Sequence, residues 1–164
     1  MPFLVPSSAK SGQLWYFNVV HNPKTIIRKE EGRPMRHRIQ TTKTQQFIDI
    51  TDQVAAAVRN SEVRDGIAVI YVPHTTAGVT INENADPDVV RDMLFALDKT
   101  YPVRGEYLHS EGNSHAHIKA SLMGSSCTVI IEEGSLLLGT WQGIYFCEFD
   151  GPRNREYYVK IIRG

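Results

Sequence analysis

Apolar residues fall into short runs along most of the chain, bounded by turn residues and not sustained at helical spacing over long stretches. GQLWYFNVV, residues 12–20, reads as a strand, followed by a charged passage, TIIRKEEGRPM, with Gly32 and Pro34. RHRIQTTK and QFIDI then predict two further strands. Thr51 and Asp52 open a helix over DQVAAAVRN, and Thr51 is expected to cap its free N–H groups. GIAVIYVP, residues 66–73, is almost wholly apolar and predicts a strand buried on both faces, ended by Pro73. AGVTIN, residues 77–82, predicts the next strand.

Asp86-Pro87 marks a helix start, with Asp86 at the N-cap, Pro87 at the first helical position and Asp88 in the first turn. Val89, Met93 and Leu97 follow at four-residue spacing as its core face. Residues 98–114 carry Pro102, Gly105, Gly112 and Asn113 and read as a long polar loop, the kind of connection that often carries function. SHAHIKASLMG then predicts a short helix, with Ser114 as its cap and Gly124 as its stop. Two hairpins complete the chain: CTVIIEEGSLLLGTW turning near Gly134, and GIYFCEFDGPRNREYYVKII turning at DGPRN. Two or three helices with seven or eight strands in adjacent hairpins predict an α+β protein with mostly antiparallel sheet.

Composition narrows the class. The chain has 164 residues, 41% hydrophobic and 22% charged, which predicts one soluble domain able to bury its core without staples. Eighteen Lys+Arg balance eighteen Asp+Glu, so no global positive field favours nucleic acid or a membrane surface. Locally, residues 24–43 hold seven basic residues against Glu30 and Glu31. This stretch reads as a solvated linker and edge strand, with an RNA or protein contact as the functional alternative. Cys127 and Cys147 are the two cysteines, each inside an apolar run, which excludes a disulfide scaffold and predicts buried reduced thiols. No run approaches the ~20 apolar residues of a membrane span. The N-terminus lacks a secretory apolar region, so a reduced, cytoplasmic setting is expected.

The chemistry concentrates in histidines. Four of six, His74, His109, His115 and His117, fall between a strand end, the polar loop and the start of a helix. Three such imidazoles are enough to hold Zn²⁺ with one position open; independent, hydrogen-bonded histidines are the other reading. In HTTAGVTINENADP, Thr75 and Thr76 form a hydroxyl pair, and Glu83 and Asn84 crowd a helix start without a capping role. A carboxylate there can act as a base or orient a metal ligand. In GTWQGI, Trp141 offers a stacking face beside Gln142, with core packing as the alternative. Arg153, in the DGPRN turn, can reach an anion or solvent.

HTTAGVTINENADPDVVRDM, YLHSEGNSHAHIKASLMGSS and GSLLLGTWQGIYFCEFDGPR, in that order, resemble the YjbQ-like family, also called the secondary thiamine-phosphate synthase family. The resemblance covers residues 36–164 as a single domain and leaves residues 1–35 as an N-terminal extension. It implies an α+β fold with a β-sandwich-like core and a homotrimer. It implies that His74, His109 and His117 gather at one metal- or anion-binding site, with His115 in reserve. Glu83 and Asn84 match its N-E-N element, Asp86 the following D-P, and Trp141 and Gln142 its G-T-W-Q-G element.

The family name implies an activity joining a pyrimidine pyrophosphate to a thiazole phosphate. That displacement calls for neutralisation of leaving-group charge by a divalent cation. A His-dominated site suits Zn²⁺ better than the Mg²⁺ or Mn²⁺ that carboxylates would hold. A metal-dependent hydrolase is therefore an equal expectation, and a trimeric binding module without catalysis is the third. For an enzyme the expected roles are His74, His109 and His117 as ligands, Glu83 and Asn84 as catalytic groups, and Thr75, Trp141, Gln142 and Arg153 as contacts to a phosphorylated small molecule.

Overall fold

The computed structural model describes residues 32–164. The expected strand at residues 12–20 and the basic positions Lys24, Arg28 and Lys29 lie outside the described residues. In chain order the elements are β1 (Met35–Gln40), β2 (Gln46–Asp49), α1 (Thr51–Ser61), β3 (Gly66–Tyr71), β4 (Ala77–Glu83), α2 (Pro87–Thr100), α3 (Ser114–Met123), β5 (Ser126–Glu132), β6 (Ser135–Leu136), β7 (Gln142–Glu148) and β8 (Asn154–Arg163). Every pairing is antiparallel, in a five-stranded sheet of order β1-β8-β3-β5-β6 and a three-stranded sheet of order β2-β7-β4. The α+β class, the antiparallel pairing and the β5–β6 hairpin turning near Gly134 are those read from the sequence. The second expected hairpin is not formed: β7 pairs with β2 and β4 and β8 with β1 and β3, so the DGPRN turn carries the chain from one sheet to the other.

The inward faces of the two sheets and α1 share one apolar core. Ala68 and Ile70 of β3, Val129 and Ile131 of β5, Tyr157 and Val159 of β8, Val79 of β4, Ile144 and Phe146 of β7, and Val54 and Val58 of α1 are all buried in it. Each full burial of an aliphatic side chain contributes about 1.5–3 kcal/mol. The other face of the three-stranded sheet packs on α2 and α3 through Tyr145, Cys147 and Phe149 against Ala116, Ala120, Val90 and Leu97. The strand buried on both faces is therefore β7.

This corrects the expectation for β3. Its apolar residues alternate in burial: Ala68 and Ile70 point inward, while Tyr71 is 47% exposed. Ile67 stands in register between Ile130 and Ile162, which are 55% and 42% exposed, so this outer face is partly open in the single chain. Helices cover one face of the three-stranded sheet and α1 sits in the inter-sheet core. A continuous apolar run cannot say which of its faces a helix will cover.

Two caps also differ. Thr51 is the first residue of α1, not its cap; Asp49 Oδ1 accepts the Thr51 N–H at 2.8 Å and the Thr51 hydroxyl. The Thr51 hydroxyl oxygen accepts the Ile144 N–H at 2.8 Å, which ties α1 to β7. Likewise Asn113, not Ser114, occupies the N-cap position of α3, and its side chain makes no cap bond. The α2 start is as expected, with Asp86 accepting from the Asp88 N–H. Gly78 lets α3 close on β4, because a Cβ there would stand 2.7 Å from the Gly124 carbonyl oxygen and 3.1 Å from Met123 Cβ. Both cysteines are free; burial pushes Cys127 up to about 11 and raises Cys147 further, so neither thiol is reactive.

Candidate functional site

The register of β4 on β7 places the segment after β3 beside the end of β7, where Ala77 faces Glu148. Glu148 is fully buried on this otherwise apolar strand and is satisfied on every side. It accepts from Arg155 Nε at 2.8 Å and Nη2 at 2.7 Å, from the Thr41 hydroxyl at 3.1 Å, and from the N–H groups of Phe149 at 3.0 Å and Asp150 at 2.9 Å. Burial alone would raise its carboxyl; the Arg155 guanidinium and these hydrogen bonds hold it below the usual carboxylate range. Arg155 Nη2 also donates to the Thr76 hydroxyl at 2.8 Å. His74 Nε2 accepts the Glu156 N–H at 3.1 Å. Burial and then the Arg155 charge hold this imidazole below its ordinary value, which keeps it neutral at pH 7.

The turn after β7 extends the polar cluster toward α3. Asp150 Oδ2 accepts from Arg153 Nη2 at 2.7 Å and from Asn113 Nδ2 at 3.1 Å. The same Asn113 amide donates to Glu111 Oε2 at 3.4 Å, and Glu111 Oε2 lies 3.9 Å from His109 Nε2. His109 in turn meets His117, with ring centroids 5.2 Å apart and planes at 81°. A continuous polar path thus runs from Arg153 through Asp150, Asn113, Glu111 and His109 to His117. Asn113 Oδ1 and His115 Nδ1 are buried beside it without a partner among the described residues. Burial, followed by the charge of Lys119, holds His115 low. Lys119, fully buried on α3, donates to Gln45 Oε1 at 2.9 Å and Asp98 Oδ1 at 2.8 Å.

The other expected residues stand elsewhere. β4 has seven residues, and at about 3.3 Å per residue it separates its two ends by roughly 20 Å. His74 and Thr75 precede the strand, with Thr75 exposed; Glu83 ends it opposite Gln142. Asn84 lies across Gly143, where a Cβ would come within 2.5 Å of its Nδ2, and it donates to Asp49 Oδ2 at 3.1 Å. Gln142 Oε1 accepts the Gly139 N–H at 2.8 Å and closes a local turn, while Asn84 ties the end of β4 to the end of β2. Trp141 is largely exposed. Within one chain the structure brings His109 and His117 together, connects Arg153 to them through Asp150 and Asn113, and leaves Glu83, Asn84, Trp141 and Gln142 at the far end.

Reading by residue type overlooked Glu111, Asn113, Glu148, Asp150, Arg155 and Lys119. One signal was available: an acid inside IYFCEFD is a buried charge by position, and a buried charge needs a partner.

The donor chemistry can be tested against a metal ion. Two imidazoles on one tetrahedral Zn²⁺, with Zn–N near 2.05 Å, hold their ring centroids about 5.2 Å apart. The observed His109–His117 spacing fits that arrangement. Among the described residues, no group of three or more His, Cys, Asp or Glu side chains is arranged to hold a metal ion.

The two-sheet core with three helices, its polar cluster at the mouth of an αβ junction, defines a class of small α+β domain. The chain belongs to the YjbQ-like UPF0047 family, whose model matches residues 35–164. A UPF0047 protein of Methanocaldococcus jannaschii is 58% identical over 127 residues, covering 77% of this chain and 92% of that one. Bacillus subtilis YugU is 56% identical over 126 residues, covering 76% and 96%. A crystal structure of a YjbQ/UPF0047-family protein from Clostridium acetobutylicum is 65% identical with a TM-score of 0.77, covering 78% of this chain and 99% of that one. A YjbQ-like structure from Sulfolobus solfataricus superposes with a TM-score of 0.78 at 31% identity, covering 82% and 99%. No helix among the described residues is long and apolar enough to cross a membrane.

Proposed function

We propose that this chain is a metal-dependent enzyme acting on a phosphorylated or heteroaromatic small molecule. The observation that supports it is the pair His109 and His117, two of the three histidines singled out by the family resemblance, at the spacing of imidazoles that share an ion. His109 and His117 would hold the divalent cation, Zn²⁺ on their donor chemistry. Such an ion supplies Lewis acidity and neutralises charge that develops on a phosphoryl or leaving-group oxygen. The chain's own residues supply the rest. Arg153, anchored by Asp150, places a guanidinium at the rim where an anionic group approaches. Asp150 Oδ2 accepts from Arg153 and Asn113, which fixes the carboxylate where it can orient a hydroxyl or water.

Thiamine-phosphate synthesis and hydrolysis are the two reactions this machinery serves. We also propose that the protein works as a homotrimer in the cytoplasm, using the outer face of the five-stranded sheet around Ile67, Ile130 and Ile162 as the contact between copies. The test is turnover by the Zn²⁺-loaded full chain. A pyrimidine pyrophosphate with a thiazole phosphate, read as thiamine phosphate plus pyrophosphate, assays the transferase; a panel of phosphate esters, read as phosphate release, assays the hydrolase. Loss of the activity in Arg153→Ala, with the fold intact, is expected. No turnover in either assay would sink the reading.

A further inference from the structure

We propose that residues 12–20 of this chain, the apolar run GQLWYFNVV, dock as an added strand beside the end of β8, in the groove at the start of β1.

The five-stranded sheet is uneven at this corner. β3 follows β8 on one side as far as the Gly66–Arg163 pair. On the other side β1 reaches only to the Met35–Val159 pair, and Lys160, Ile161 and Ile162 run on past its start. β1 cannot be extended backward along this edge as a regular strand. Pro34 has no N–H to give to a ladder, and Gly32 sits at φ +95°, in the left-handed region, where the chain turns. Three residues of sheet edge, about 10 Å long, form a template for another strand. Next to this edge lies a groove of about 620 Å³, lined by apolar Met35, Val63 and Ile161 and by basic Arg33, Lys160 and Arg163.

The sequence of this chain argues for its own segment as the occupant. The family match begins at residue 35, and 78% of this chain covers 99% of the Clostridium acetobutylicum structure, so the residues ahead of 35 lie outside the shared domain. In GQLWYFNVV the two-residue period of a strand puts Trp15, Phe17 and Val19 on one face, an apolar row suited to the apolar side of the groove. Gly32 itself lines that groove, so the chain passes its mouth. The residues between Val20 and Gly32 include Asn22-Pro23, which favours a turn, and span at most about 40 Å, ample to lead the run back. Glu30 and Glu31 immediately precede Gly32, so this connection brings negative charge to a basic rim. Main-chain hydrogen bonds to the sheet edge, with alternate side chains in a pocket, are the usual terms of strand addition.

Trp15 reports on the docking in the full chain. Trp15 and Trp141 are the two tryptophans, and Trp141 is largely exposed, so Trp141→Phe leaves Trp15 as the single indole without touching the core. In that background Trp15 should emit at shorter wavelength than an indole in water, and acrylamide should quench it about threefold less than in the same protein carrying Phe17→Asp. Hydrogen exchange of the segment 160–162 should be slower in the parent than in the Phe17→Asp protein, with the β1–β8 pairs from Asn154 to Val159 equally protected in both. Equal quenching of Trp15 in the two proteins would overturn the proposal. So would a shielded Trp15 with no difference in exchange at 160–162, which would place the segment elsewhere. Shielding lost on dilution would assign the strand to a second copy, against docking within one chain.

Discussion

Glu148 and Arg155 meet across the β7–β8 turn in a two-point contact, Arg155 Nη2 to Glu148 Oε1 at 2.7 Å and Nε to Oε2 at 2.8 Å, with both side chains buried. Removing one partner of such a pair leaves an unpaired charge in the interior and costs about 3–5 kcal/mol. Arg155→Met should lower the unfolding free energy by that order in urea denaturation. The exposed Asp88–Arg91 pair on α2 is the control: Arg91→Ala should cost less than about 1 kcal/mol. Equal losses in the two variants would contradict the structure.

His37 gives the stability a pH dependence. Its ring stacks on Tyr157 with centroids 4.9 Å apart, its Nε2 is buried without a partner among the described residues, and burial lowers it from 6.5. The unfolded chain then binds the proton more readily than the folded one. Stability is full above pH 6.5 and falls as pH drops through 6.5 toward the folded value. His37→Phe should flatten the decline in urea midpoint between pH 7.5 and pH 5.5. An unchanged slope would remove His37 as a source.

Gly78→Ala tests the seat of α3. The new methyl would meet the Gly124 carbonyl oxygen at 2.7 Å, and backbone cannot swing aside as a side chain can. Overpacking of this kind costs about 1–3 kcal/mol. Because α3 carries His117, the same variant should also weaken zinc binding while the five-stranded sheet stays protected in hydrogen exchange.

Self-association should appear directly in light scattering as a species near three times 18.5 kDa. Ile130→Lys, on the open face of β5, should convert it to monomer without loss of circular-dichroism signal. A wild-type monomer would exclude the trimer.

Local signals in the sequence led to the right local structures. Asp86-Pro87 marks the α2 start because Asp at the cap and Pro at the first turn act within a few residues of one another. The DGPRN turn and the run of β7 were legible for the same reason. The cap of α1 was not: Asp49 captures the Thr51 N–H, while the hydroxyl of Thr51 is turned to β7, whose Ile144 lies far along the chain. The site divides in the same way. His109 and His117 meet across a short loop; spacing left independent histidines open, and their gathering, with His74, was what the family resemblance implied. The Glu148–Arg155–Thr76 network and the Asp150–Asn113 bond depend on β4 and β7 pairing in one register, which residue types alone do not encode.

Lys119 sits midway along α3 with its ammonium held by Gln45 and Asp98, from two separate parts of the chain, while Gly78 receives the helix end. The helix is thereby a fixed post. The element that carries His117 is therefore anchored from β4, from α2 and from the chain just ahead of β2, and not by the loop that leads into it.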